Sequence, residues 1–340
     1  MSESVRAIEP YIEISARRFE RAAVRPSLKE WAWHSVLFIL TVITTTFAGV
    51  VNAAPDVDPA GPALASWLDY ILYIPIFYAR IIEAVASEAL RNPHLLAVGL
   101  TFSATLLAIL TAHEMGHYLA CRKYGVSATL PFFIPAPPLF LAGTFGAFIK
   151  IRSPLPTRRV LFDVGLAGPL AGFIVLLPIA VVGVLNIGPP LSVTGHEIIF
   201  NDPLLLRLLA KALGVRLDPY SPTNPCYMAA WIGLLVTSLN LMPVGQLDGG
   251  HGTFAIFGQR THRLVGRAAF LIMAVISVLG FVWHGSPSGF LYVVLLAIML
   301  RVRHPQPEVM EPLGLSRHVI AVVTLIVFAL SFWPFPITIH

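Results

Sequence analysis

Long apolar runs along the chain alternate with short, arginine-rich polar intervals, a pattern that predicts a stack of membrane-crossing helices. A helix needs about 20 largely apolar residues to cross the hydrocarbon core. Runs of this kind lie at about 33–53, 95–121, 160–186, 225–250, 264–284, 287–301 and 317–335. They predict an all-α polytopic membrane protein with about seven transmembrane helices. The clearest is Leu95 to Ala112, 18 residues without a charge, about 27 Å of helix at 1.5 Å per residue. The run around Phe290 is the shortest. Residues 64–90 hold Trp67, Tyr70, Tyr73 and Tyr78 but are interrupted by Asp69, Arg80, Glu83 and Glu88. They predict an interfacial or re-entrant segment on the outer face. Residues 1–32 mix six basic with five acidic side chains and read as a cytoplasmic polar arm, leaving 33–340 as a single membrane-embedded domain.

Composition agrees. Of 340 residues, 56% are hydrophobic and 12% charged, against about a quarter charged in a soluble globular chain. The net charge of +5 does not point to nucleic acid, because the basic residues sit in clusters between apolar runs and form no stripe. They set topology instead. Between Tyr118 and Phe162 lie Arg122, Lys123, Lys150, Arg152, Arg158 and Arg159 and no acid, which marks that loop as cytoplasmic. The N-terminal arm is equally rich in basic residues, so the chain must cross twice between the two. The arm lacks the order of a cleavable signal peptide, and its five acids argue against an organelle transit peptide; the expected address is a bacterial inner membrane with the N-terminus in the cytoplasm. Cys121 and Cys226 fall near opposite ends of the predicted spans, so no disulfide is expected.

Chemistry enters at the end of the charge-free run, in His113-Glu114-Met115-Gly116-His117. Residues four apart share a helix face, so both imidazoles can bind one zinc ion while Glu114 serves a bound water as base. Acids and bases near the centre of a span cost about 2.5–3.5 kcal/mol each on insertion scales, so such a cluster needs a partner and marks function. A catalytic zinc site takes three protein ligands. The third is not supplied locally, because the positions that soluble metzincins fill with Gly and His hold Ala120 and Lys123.

A source for it is the stretch Asn240-Leu241-Met242-Pro243-Val244-Gly245-Gln246-Leu247-Asp248-Gly249-Gly250-His251. Pro243 and Gly245 should break the helix there, which membranes tolerate where protein or water satisfies the backbone. Counted back from Arg122, the histidine pair lies about 10 Å inside the bilayer, and Asp248, about 22 residues along its inward span, reaches a similar depth. A surface-solvated loop aspartate is the alternative for Asp248.

The histidine motif at a span end and the Asn-x-x-Pro-x-x-x-x-Asp-Gly stretch closing a later span, in that order, resemble the site-2 protease family of intramembrane zinc metalloproteases. The piece from Pro131 to Gly172, with Gly143-Thr144-Phe145-Gly146 and Ala167-Gly168-Pro169-Leu170-Ala171-Gly172, is similar to the compact plastid and bacterial branch without a PDZ domain. The resemblance implies that His113, His117 and Asp248 ligate one zinc ion per chain and that Glu114 is the general base. It implies that Asn240 polarises the scissile carbonyl or holds the water. It also implies that a re-entrant, β-hairpin-like segment near 128–151 offers a strand edge to an unwound substrate, a transmembrane protein or a signal peptide within the lipid bilayer. The outer loop from Ile187 to Asn224 is too short for a PDZ domain, which leaves substrate selection open. Gln246 and His251 either support the ligands or only line the site; His196 and His284 belong to the opposite face.

Two other readings compete. A multi-span zinc peptidase with a glutamate third ligand would need Glu197, which the topology places outside. A non-proteolytic zinc-binding membrane protein or metal transporter would want polar residues spread through several spans, whereas these spans are polar mainly at one constellation. No residue reports the oligomeric state.

Overall fold

The computed structural model describes residues 26–53, 67–190, 198–302, 304 and 307–339. Most of the expected polar arm lies outside them, as do His196 and Glu197. In chain order the elements are α1 (Leu28–Ala53), α2 (Trp67–Arg91), α3 (Pro93–Lys123), β1 (Phe132–Pro135), β2 (Thr144–Phe148), α4 (Arg158–Leu185), β3 (Ile198–Phe200), α5 (Leu204–Leu213), α6 (Pro225–Asn240), α7 (Asp248–His284), α8 (Gly289–Arg301), α9 (Leu315–Ser331) and β4 (Ile337–Ile339). The fold is mostly helical, with two small two-stranded antiparallel sheets, β1–β2 and β3–β4.

Among the described residues, α1, α3, α4 and α7 are long and apolar enough to cross a membrane, while α8 and α9 are apolar but shorter. The outer faces of α7 and α9 expose Leu271, Ile272, Val275, Val282, Val319, Val322 and Leu325, a surface suited to lipid. This is a multi-pass membrane protein. The expected run 225–250 is divided. Helix α6 stops at Asn240, the chain turns through Pro243 and Gly245 (φ +55°), and α7 begins at Asp248, with a break at Gly258 (φ +76°). Of the residues 64–90 expected to be interfacial or re-entrant, 67–90 fall in the helix α2, which contains Pro75, and 64–66 lie outside the described residues.

Helix starts follow their capping residues. Asn92 accepts from the Leu95 N–H at 3.3 Å ahead of Pro93, and Asn224 accepts from the Tyr227 N–H at 3.0 Å ahead of Pro225. Each side chain satisfies one orphan donor of the first turn, with proline at the position where no donor is missed. Thr157 caps α4 in the same way.

The core lies where α3, α4 and α6 pack together, around Phe102, Leu106, Leu161, Phe162, Leu176, Trp231 and Leu234. A second cluster, Met242, Val244, Met273, Tyr292 and Leu296, packs the turn after α6 against α7 and α8. The β1–β2 hairpin leans on α1: Phe133 meets Phe38 with ring centroids 4.9 Å apart, and the His34 Nδ1 lies 2.9 Å from the Pro131 carbonyl. Arg317 of α9 clasps Asp163 of α4 through two bonds of 2.8 and 2.6 Å, and the Tyr124 hydroxyl donates to the same carboxylate. That clasp ties the ends of α3, α4 and α9. Cys121 and Cys226 are both free.

Candidate metal centre

The motif His113-Glu114-Met115-Gly116-His117 lies near the C-terminal end of α3 with both imidazoles on one face, packed on α4. Helix α4 can come that close because its contact stripe is glycine. A β-carbon at Gly168 would stand 2.1 Å from His117 Nε2, so any larger residue there would overlap the ring. Small residues at such crossings are the usual route to tight packing of membrane helices.

Asp248 arrives from the other side. It is the first residue of α7, where a carboxylate is favoured by the helix dipole. It gets there because the turn after α6 folds back so tightly that a β-carbon at Gly249 would stand 1.9 Å from the Leu241 carbonyl oxygen. The result is a three-way convergence. His113 Nε2 lies 3.2 Å from His117 Nε2, and the two nitrogens lie 3.3 and 3.4 Å from Asp248 Oδ2.

These spacings test whether a metal fits. Tetrahedral zinc with N and O bonds of about 2.0–2.2 Å needs its donors about 3.3–3.6 Å apart. Two imidazoles and one carboxylate at those separations match both the donor chemistry and the geometry. Among the described residues this is the one group of three such side chains whose ligand atoms all lie within 4.8 Å of one another. His117 is oriented by its other nitrogen, since Nδ1 stands 2.7 Å from the Val164 carbonyl of α4; that bond directs Nε2 toward the convergence.

Around the three stand the remaining candidates. Glu114 is 6% exposed and shares its cavity with Ile149, just past β2. Asn240, the last residue of α6, brings its amide nitrogen to 3.2 Å from His113 Nε2. His113, Glu114, His117, Asn240 and Asp248 line one cavity of about 560 Å³, together with Ala147 to Ile151 from the hairpin arm, Gln246 and His251. The five residues expected from the sequence thus share one chamber. His284, by contrast, ends α7 far along that helix, beside Phe335 at 6.1 Å.

Two contacts had no signal in the sequence. The Val164 carbonyl is a backbone group, and the partner of His251, His304 at 2.8 Å, is separated from it by 53 positions. The glycine spacing of Gly168 and Gly172 is the one sequence signal that α4 presses on the motif.

A profile of peptidase family M50 matches residues 101–282. The probable zinc metalloprotease EGY2, chloroplastic, of Arabidopsis thaliana is 30% identical over 265 residues, covering 74% of this chain and 46% of that protein. The probable zinc metalloprotease EGY1, chloroplastic, of Oryza sativa subsp. japonica is 38% identical over 161 residues, covering 45% of this chain and 27% of that protein. The Arabidopsis thaliana protein of the latter name is 33% identical over 177 residues, 50% of this chain and 32% of the relative. The chain spans less than half the length of these relatives.

Proposed function

The chain belongs to peptidase family M50, and on that premise we propose that it is a zinc metalloendopeptidase that cuts membrane-spanning protein segments inside the bilayer. The observation that carries the reading is the meeting of His113, His117 and Asp248 at 3.2–3.4 Å beside a buried Glu114 and Asn240. In this reading the three ligands hold one zinc ion, which when bound supplies Lewis-acid activation of water and of the scissile carbonyl. Glu114 accepts the water's proton and hands it to the departing amine nitrogen. The Asn240 amide donates to the carbonyl oxygen or holds the water in line. The Val164 carbonyl keeps His117 in the tautomer that offers Nε2.

The substrate arrives as extended chain. A transmembrane helix hides its carbonyls in its own hydrogen bonds, and unwinding it in lipid leaves them unsatisfied. The segment from Ala128 to Ile151, re-entrant in this reading, offers the Ala147 to Ile151 side of the cavity as an edge on which an unwound substrate pairs by strand addition. Seven crossings, four on the long helices and three on the runs at 225–250, 287–301 and 317–335, would put the basic loop and the active site toward the cytoplasm of a bacterial inner membrane. Residues 1–32 would form a cytoplasmic arm on the single domain. The substrates are then membrane-tethered proteins or signal peptides.

Reconstitution into vesicles tests this against the reading of a zinc carrier. Cleavage of a co-reconstituted single-pass protein with no zinc flux is the expected result. Zinc flux without cleavage would overturn the protease reading.

A further inference from the structure

A second cavity, of about 420 Å³, lies on the far side of the turn that delivers Asp248. Its walls carry Gln259, His262, Arg263 and Arg267 of α7, Arg301 at the end of α8, and His304. Among the described residues no acid lines it, and Arg263, Arg267 and Arg301 have no ion-pair partner. Arg263 and Arg267 are one turn apart on one helix face, where like charges repel. Their neighbour His262 is only 5% exposed, and its Nδ1 finds no hydrogen-bond partner among the described residues. A buried polar atom without a partner is uncommon and asks for a group to satisfy it.

The chamber is built. Phe254 stacks on His304 at 4.2 Å with the rings 6° from parallel, and His262 meets His304 edge-on at 5.0 Å. Gly266 leaves the floor open against the Pro243 carbonyl. The turn from Pro243 to Leu247 is the partition, with Gly245 facing this cavity and Gln246 and Leu247 facing the metal chamber. Three arginines lining one space, all of them exposed, disfavour a cation and suit the oxygens of a phosphate, which arginine grips through paired N–H donors.

We propose that this cavity binds one phosphate-bearing anion, held by Arg263, Arg267 and Arg301 with His262 as a buried donor. The phosphate comes either from the headgroup of an acidic phospholipid, since basic pockets between membrane helices recognise such headgroups, or from a soluble phosphate. The site stands apart from the proteolytic one and does not depend on that reading.

The test uses the full chain purified in neutral detergent. Native mass spectrometry follows retention of phosphatidylglycerol and of phosphatidylcholine, and thermal melting is followed in sodium phosphate and in sodium chloride of equal ionic strength. Phosphatidylglycerol should be retained singly and in preference to phosphatidylcholine, and R263Q/R267Q should weaken that retention by about tenfold or more, the scale of a lost charge-assisted contact. Arg260→Gln, an exposed neighbour outside the cavity, should leave it unchanged. If the lipids show no preference while phosphate raises the melting temperature of the wild type but not of R263Q/R267Q, the ligand is the soluble one. Should R263Q/R267Q fail to fold, Arg301→Gln on a separate helix gives the same reading. Equal binding of both probes by wild type, R263Q/R267Q and Arg301→Gln overturns the proposal, as does an equal loss in Arg260→Gln.

Discussion

Gly168 stands so close to His117 that a β-carbon on it would lie 2.1 Å from the imidazole Nε2. The ring cannot simply step aside, because its Nδ1 is tied to the Val164 carbonyl one turn earlier on the same helix. The spacing of α3 and α4 is therefore a condition of the metal site, set by a residue that ligates nothing. Gly168→Ala should lower zinc affinity by about 10–100-fold, the range for losing the orientation of a ligating histidine. Circular dichroism should show the helices intact while elemental analysis reports the lost metal.

Asp248 depends on the turn that precedes it in the same way. Asp248→Ala removes the only carboxylate of the three donors, leaving two imidazoles where a catalytic zinc takes three protein ligands. Zinc content should fall well below one per chain after dialysis, and cleavage should be lost. A zinc chelator should likewise stop the wild type, and added zinc should restore it. Full activity in metal-free buffer would count against the site.

The clasp between Arg317 and Asp163 predicts a stability effect remote from the chemistry. Both side chains are about four-fifths buried, so removing one partner leaves the other charged and uncompensated. Arg317→Gln should destabilise by on the order of 2 kcal/mol, below the 3–5 kcal/mol of a fully buried pair. Adding Asp163→Asn should recover part of the loss. Melting in detergent, read for both single variants and the double variant, gives the coupling.

The strand-edge reading predicts a substrate preference. Helix breakers lower the cost of unwinding, proline by about 3 kcal/mol in a helix interior. A test segment carrying Asn-Pro near its cut site should be cleaved about tenfold faster than an all-leucine counterpart. Equal rates would argue that the substrate is not unwound on the Ala147 to Ile151 side.

Much of this was legible because each signal was local. Eighteen uncharged residues before His113 specify a span whatever surrounds them, and the i, i+4 histidines specify a shared face. Pro243 and Gly245 announced a break, and so pointed to Asp248 just after it. What escaped the sequence depends on contacts between distant segments. Where α6 ends and how the turn after it lies are set by the packing of Met242 and Val244 on α7 and α8. The break at Gly258 and the His251–His304 contact are tertiary in the same sense, since nothing near either position in sequence calls for them. The register of the hairpin, Phe132 against Phe148 and Pro135 against Thr144 with an irregularity between, follows from its fit to α1, a partner nearly a hundred residues earlier.

The central claim is that Glu114 serves a zinc-activated water in cutting a membrane-embedded peptide bond. It is tested most directly by incubating the wild type and Glu114→Gln with a single-pass substrate in detergent, with zinc content measured in both. The account predicts that both retain zinc and that Glu114→Gln loses cleavage by at least about 10²–10⁴-fold, the share general-base catalysis supplies. Equal processing by the two zinc-loaded proteins would contradict it.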